Sequence, residues 1–235
     1  MKSIKHLPIL KCLLLGMLSL FALGLLAACG NDYAQTTKPV ENALSQNTFL
    51  HAAQASSQKM SYPDPMNQNA LPEKVRVTGD GETVLLRAWV TQGYQIYECQ
   101  ASSTAASGFA WKLQAPFAFL KSDQGTNLIH ATGPSWLYTH DGSEITAALG
   151  KFTTANGSVV PANATPDAKS VPWLRLDVNA HLGTPGLLSH VNEVQRLYTH
   201  NGIAPSSGCN QDAAAQHVID PVSYTAEYVF WGRKW

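Results

Sequence analysis

The sequence predicts an all-β fold: a single-domain sandwich or barrel of many short antiparallel strands, stapled by a disulfide. Three observations carry this. Runs rich in Val, Leu, Ile, Tyr, Trp and Thr recur at strand length. Gly-containing pairs suited to positive φ, namely Asp80-Gly81, Asp141-Gly142, Asn156-Gly157 and Asn201-Gly202, punctuate them. No long stretch shows the 3.6-residue apolar period of an amphipathic helix.

The chain opens differently. Lys2, Lys5 and Lys11 precede an apolar run from Cys12 to Ala28, too short for a confident spanning helix, which needs about 20 apolar residues. A basic start and a short apolar run make a secretory signal pattern. The run ends Leu26-Ala27-Ala28-Cys29-Gly30. Small residues fit a signal peptidase pocket, and a cysteine at the cut offers a thiolate to a diacylglyceryl donor. This resembles the lipobox of bacterial lipoproteins, with Cys29 as the lipidated position and residues 1–28 as the signal. An ordinary signal peptide with a chance cysteine is the alternative. Stable anchoring takes more than one acyl chain, and such lipoproteins carry two or three. Gly30 is not the Asp that retains lipoproteins at the inner membrane of enteric bacteria, so the outer membrane is favoured.

Residues 29–70 are rich in Gln, Asn, Ser, Ala and Thr, a composition that buries little apolar surface. The expectation is a tether; a weak helix over residues 41–60 is the alternative. Residues 71–235 then form one β domain holding all six tryptophans. Without the signal, 13 basic residues face 16 acidic ones, a net charge of −3, and no basic stripe follows Lys11. That excludes a nucleic-acid binder of the usual electrostatic kind.

Within the domain, residues 83–90 read as a strand, Gln92-Gly93 as a turn, and residues 94–99 as the next strand. Residues 135–152 read as a hairpin around His140-Asp141-Gly142-Ser143. In residues 173–178, Leu174, Leu176 and Val178 alternate with Trp173, Arg175 and Asp177, a half-buried strand with one wet face. Tyr224, Ala226, Tyr228 and Phe230 share one face of a last strand. Asp177, Glu193 and Glu227 read as wet faces, and Arg196 and Glu227 as a possible cross-strand pair. A short helix is expected near residues 211–216. With Cys12 in the signal and Cys29 lipidated, Cys99 and Cys209 remain, and two thiols in an oxidising compartment tend to pair.

Ordered strings then carry a resemblance. Tyr97-Glu98-Cys99, His130-Ala131-Thr132-Gly133-Pro134-Ser135-Trp136, Val171-Pro172-Trp173-Leu174, Gln195-Arg196, Gly202-Ile203-Ala204-Pro205 with Cys209, and Tyr224-Thr225-Ala226-Glu227-Tyr228 are together similar to a family of uncharacterised secreted proteins of bacteria and filamentous fungi, a DUF3455-like domain of unknown function. The resemblance implies a secreted single domain with paired cysteines and brings no activity. Some fungal relatives are described as dehydrogenases, but Gly79-Asp80-Gly81 lacks the third glycine of a dinucleotide loop and opens a strand. Thr199-His200-Asn201-Gly202 departs from the Thr-x-Gly-Gly of relatives.

Chemistry-bearing candidates are few. His130, Trp136 and Asp141 are a candidate ligand pocket for a sugar or other polar molecule; a histidine bonded to a backbone carbonyl is the bland reading of His130. Leu137-Tyr138-Thr139-His140-Asp141-Gly142 recurs as Leu197-Tyr198-Thr199-His200-Asn201-Gly202. If both segments end on one rim, His140, His200 and Asp141 are a candidate metal site; otherwise each histidine merely enters a turn. No cofactor is otherwise implied, and no Gly-x-Ser-x-Gly elbow is present. The leading expectation is a lipid-anchored envelope module that binds a glycan, a peptidoglycan fragment or an envelope protein. A hydrolase, metal-dependent or metal-free, and a purely structural envelope protein are the alternatives.

Overall fold

The computed structural model describes residues 62–234. Cys29, the signal and most of the expected tether lie outside them. Eleven strands and one short helix follow in order: β1 Thr83–Ala101, β2 Phe109–Ser122, β3 Asn127–Ala131, β4 Ser135–Tyr138, β5 Ser143–Leu149, β6 Lys151–Thr153, β7 Val159–Pro161, β8 Asn163–Ala164, β9 Trp173–Gly183, β10 Val191–Asn201, α1 Gln211–Ala215 and β11 Ile219–Gly232. The main sheet runs β10-β11-β1-β2-β3-β4-β5-β9-β8, and β9 also pairs with β10. That second pairing closes eight antiparallel strands into a barrel, with β8 as an extra strand on β9. The expected all-β, disulfide-stapled fold is borne out as a barrel; Cys99 and Cys209 are joined across a sequence separation of 110.

The interior follows the two-residue period of strands. Tyr224, Ala226, Tyr228 and Phe230 all face the core, with Leu86, Leu120, Leu128, Trp136, Tyr138 and Ile145. The expected hairpin is β4–β5, and the expected short helix is α1, capped by the Asn210 side chain, which accepts from the Ala213 N–H.

Gln92-Gly93 is not a turn. β1 runs through it, with a register shift between Val90 and Gln92 against β2 and between Trp89 and Tyr94 against β11. An irregularity of this kind flips side-chain parity. Leu86, Ala88 and Val90 face inward before it; Gln95 does so after it. Glycine is required at position 93, where a Cβ would lie 2.6 Å from Val90 Cγ1 and 2.9 Å from a Tyr224 ring carbon.

The polar sides of β9, β10 and β11 are not uniformly wet. Residues 62–78, part of which reads by composition as tether, lie across them. Leu71 and Val75 are buried in a second cluster with Trp173, Leu197, Tyr198, Val229 and Trp231. Tyr62 stacks on Tyr198 with centroids 4.5 Å apart. Under this strap, Gln195 donates to the Val75 carbonyl at 2.6 Å and accepts from Trp231 Nε1 at 2.8 Å. Glu193 accepts from the Thr78 backbone N–H and from its hydroxyl, and Arg175 lies 3.4 Å from the same carboxylate. Glu193, Glu227 and Arg175 are therefore buried, and only Asp177 of the expected wet acids is exposed. Glu227 pairs with Arg87 at 2.6 Å rather than with Arg196, because 227 and 196 face opposite sides of the wall.

Candidate functional site

Strand direction defines two ends. The β2–β3 and β4–β5 turns and the β9–β10 connection lie at one end; the β1–β2, β3–β4 and β10–β11 connections lie at the other.

The first end is plugged. The 3-10 turn Leu187–His190 crosses it and sends Leu188, fully buried, into the core. Asp141 holds the turn. One carboxylate oxygen accepts from the Ser143 N–H at 2.8 Å and the Ser143 hydroxyl at 2.6 Å; the other accepts from the Leu187 N–H at 2.8 Å. Ser143 Oγ in turn accepts from the Leu188 N–H at 3.1 Å. Burial opposes ionisation of Asp141, but these hydrogen bonds prevail and hold its carboxyl below the ordinary range.

The second end is open, into a pocket of about 210 Å³. Every barrel strand lines it. β1 contributes Gln95, β2 contributes Leu113 and Pro116, and β3 contributes His130. β4 contributes Trp136 with Pro134 just before it, and β5 contributes Leu149 at the exposed rim. Leu174 and Leu176 come from β9, Arg196 from β10 and Tyr228 from β11. An eight-stranded barrel is just wide enough for side chains to fill or for one small ligand.

The floor is aromatic. His130 stacks on Trp136 with centroids 4.5 Å apart and rings 7° from parallel, and Tyr228 meets both. His130 Nδ1 lies 2.8 Å from the Ser135 carbonyl. A carbonyl only accepts, so Nδ1 carries the proton and Nε2 keeps its lone pair. Burial pushes His130 down to about 4, so the ring is neutral near pH 7. Burial also raises Tyr224 and Tyr228, whose hydroxyls lie 3.1 Å apart; the nearby Gln95 and Arg196 side chains oppose that rise without reversing it.

Trp136 Nε1 and Gln95 Nε2 are closed off from solvent and make no well-formed hydrogen bond, although the Gln95 side chain lies beside the Tyr224 hydroxyl. Arg196 is 8% exposed, donates through Nε and Nη2 to the Pro172 carbonyl at 3.2 and 2.9 Å, and also lies in hydrogen-bond reach of the Tyr228 hydroxyl. No ion pair among the described residues includes Arg196.

Of the sequence candidates, His130 and Trp136 thus come together, and Asp141 lies apart from them at the plugged end. The reason is that β4 spans the barrel wall between Trp136 and Asp141. The proposed metal residues are likewise separated. His140 is in the β4–β5 turn, whereas His200 ends β10 at the other end and lies 3.2 Å from the Tyr62 hydroxyl. Among the described residues no group of three or more His, Cys, Asp or Glu side chains is placed to hold a metal ion. Sequence reasoning missed Gln95 and Arg196. Gln195-Arg196 stood in the family-like strings, the one signal that could have singled out Arg196.

No curated protein and no solved structure matches the chain significantly. Residues 121–232, a little under half of the chain, run from the end of β2 to the end of β11 and include the Asp141 plug and most of the pocket; they match the family described as Protein of unknown function (DUF3455).

Proposed function

We propose that this chain is a cell-envelope lipoprotein, held by acyl chains on Cys29, whose barrel binds one small molecule at its open mouth. The observation that carries the binding reading is the pocket walled by all eight strands, with the Arg196 guanidinium in its lining and no carboxylate paired to it among the described residues. Buried charges are ordinarily paired, and a ligand that brings an acceptor to the mouth supplies the missing partner. The plugged far end makes the site a cup rather than a channel. The volume exceeds the ~150 Å³ of a cavity that holds benzene, so the occupant is a compact molecule or the end of a longer one, such as a fragment of an envelope glycan or peptide. The anchor reading rests on Lys2, Lys5, Lys11 and the Leu26-Ala27-Ala28-Cys29 run, with the outer membrane favoured by Gly30.

Leu149 offers the test, because it lines the pocket yet is 44% exposed, so a larger side chain there narrows the mouth without overfilling the core. The full chain is isolated gently from membranes, and the small molecules released on denaturation are identified by mass spectrometry. A defined mass present with the wild type and lost in Leu149→Trp supports the pocket. The same small-molecule profile in both proteins counts against it. Detergent partitioning of Cys29→Ser reports on the anchor separately; a variant that still partitions into detergent removes the lipid reading.

A further inference from the structure

The lining of the barrel mouth carries one buried positive charge and no carboxylate. Arg196 and Trp136 Nε1 donate only, and Gln95 Nε2 is a donor as well. Arg196 sits on β10 with its side chain inside, while the neighbouring acid of its hydrogen-bonded ladder, Glu227, faces outward and is taken by Arg87. A buried guanidinium that meets one backbone carbonyl and the Tyr228 hydroxyl, and no carboxylate, lacks the anion that usually accompanies a buried charge. The rest of the wall is Leu and Pro: Leu113, Pro116, Leu149, Leu174 and Leu176.

From this arrangement, and resting on the pocket reading above, we infer that the ligand is a small organic acid with a compact apolar body: its carboxylate meets Arg196, and its body lies against the leucines. A carboxylate is acceptor-only, and its two oxygens suit a guanidinium edge together with a neutral donor. An amine or other cation meets the guanidinium charge with its own. A neutral sugar leaves that charge uncompensated.

Phenylacetate, phenylacetamide and phenethylamine share one ring and differ in charge, so they separate charge recognition from apolar filling. Each is titrated into the full chain in detergent micelles at pH 7, and binding is read by ligand-observed NMR. The expected order is acid before amide by at least tenfold, with no binding of the amine. Arg196→Gln removes the preference for the acid, and retained amide binding in that variant shows that the pocket is still formed. Equal affinity for acid and amide, or an acid preference that survives Arg196→Gln, overturns the anion inference and leaves the pocket reading standing. Failure of all three to bind up to millimolar concentration, with the Trp136 indole signal unmoved, overturns both.

Discussion

Acidifying the protein from pH 7 to pH 5 tests the buried state of His130. The ring is 2% exposed, stacked on Trp136, and neutral because burial lowers it from 6.5 to about 4. The unfolded chain takes up a proton at this residue below about pH 6.5, while the folded chain does not until about pH 4. Between these values the unfolded state holds more protons, so stability falls as pH falls. The full gap of about 2.5 units is worth about 3 kcal/mol, and about 2 kcal/mol of it is lost between pH 7 and pH 5. Other groups titrate as well, so the difference from His130→Asn isolates the term; the Asn amide keeps a donor for the Ser135 carbonyl and carries no titrating ring. Urea denaturation at pH 5, 6 and 7, with the slope on denaturant held common, gives both curves. The wild type is expected to lose about 2 kcal/mol more than His130→Asn over this window. Parallel curves refute the argument, because they mean that the folded barrel hydrates or protonates this ring as readily as the unfolded chain does.

The remaining expectations concern what holds the cup together. Asp141→Ala removes three hydrogen bonds at the plug and is expected to cost about 3 kcal/mol in thermal denaturation, with acid binding at the far mouth unchanged. Because Asp141 is held below its ordinary range, the part of its contribution due to ionisation is present above the unfolded value and is lost as pH falls through the folded one; the pH-dependent gap between wild type and variant therefore closes in acid. Cys99→Ser with Cys209→Ser is expected to cost about 2–4 kcal/mol in denaturant, and thiol labelling of the unreduced, denatured wild type is expected to leave both cysteines unmodified. Leu71→Ala is expected to cost about 2–5 kcal/mol and to speed hydrogen exchange in residues 62–78 more than in β1 or β11; uniform acceleration removes the idea of a separable strap.

Some of this was legible in the sequence, for physical reasons. The alternation of Tyr224, Ala226, Tyr228 and Phe230 reports a strand facing a core, because side chains two apart share a face and these four are all apolar or amphipathic. Asp141-Gly142 marks a turn, since Gly142 has φ +76° there. Alternation failed at Arg175, Glu193 and Glu227. It reports that one face of a strand is polar, and it carries no information about a distant segment that comes to lie on that face and satisfies it. Gln95 was illegible for a different reason. Its inward aim depends on the register shift around Gln92-Gly93, and a run that reads as strand, turn, strand is also what a bulged continuous strand looks like. The sequence groups Asp141 with His130 and Trp136 because it follows them closely, but a strand carries consecutive residues away from one another, toward opposite ends of the wall.

The polar residues of the mouth are hard to explain as architecture. An unpartnered buried donor costs about 1–3 kcal/mol, and removing both partners of a buried polar contact in favour of apolar groups is often neutral or stabilising. Leu or Met at Gln95 and Arg196 would extend the core already formed by Tyr228, Leu176 and Trp136 and close the pocket. The far end shows the contrast: there the polar groups of Asp141 and Ser143 bond one another and the backbone N–H groups of the plug. The mouth instead keeps a buried guanidinium with no carboxylate beside it. An aromatic floor, a leucine-lined wall and a guanidinium without an anion form a set that an incoming carboxylate completes.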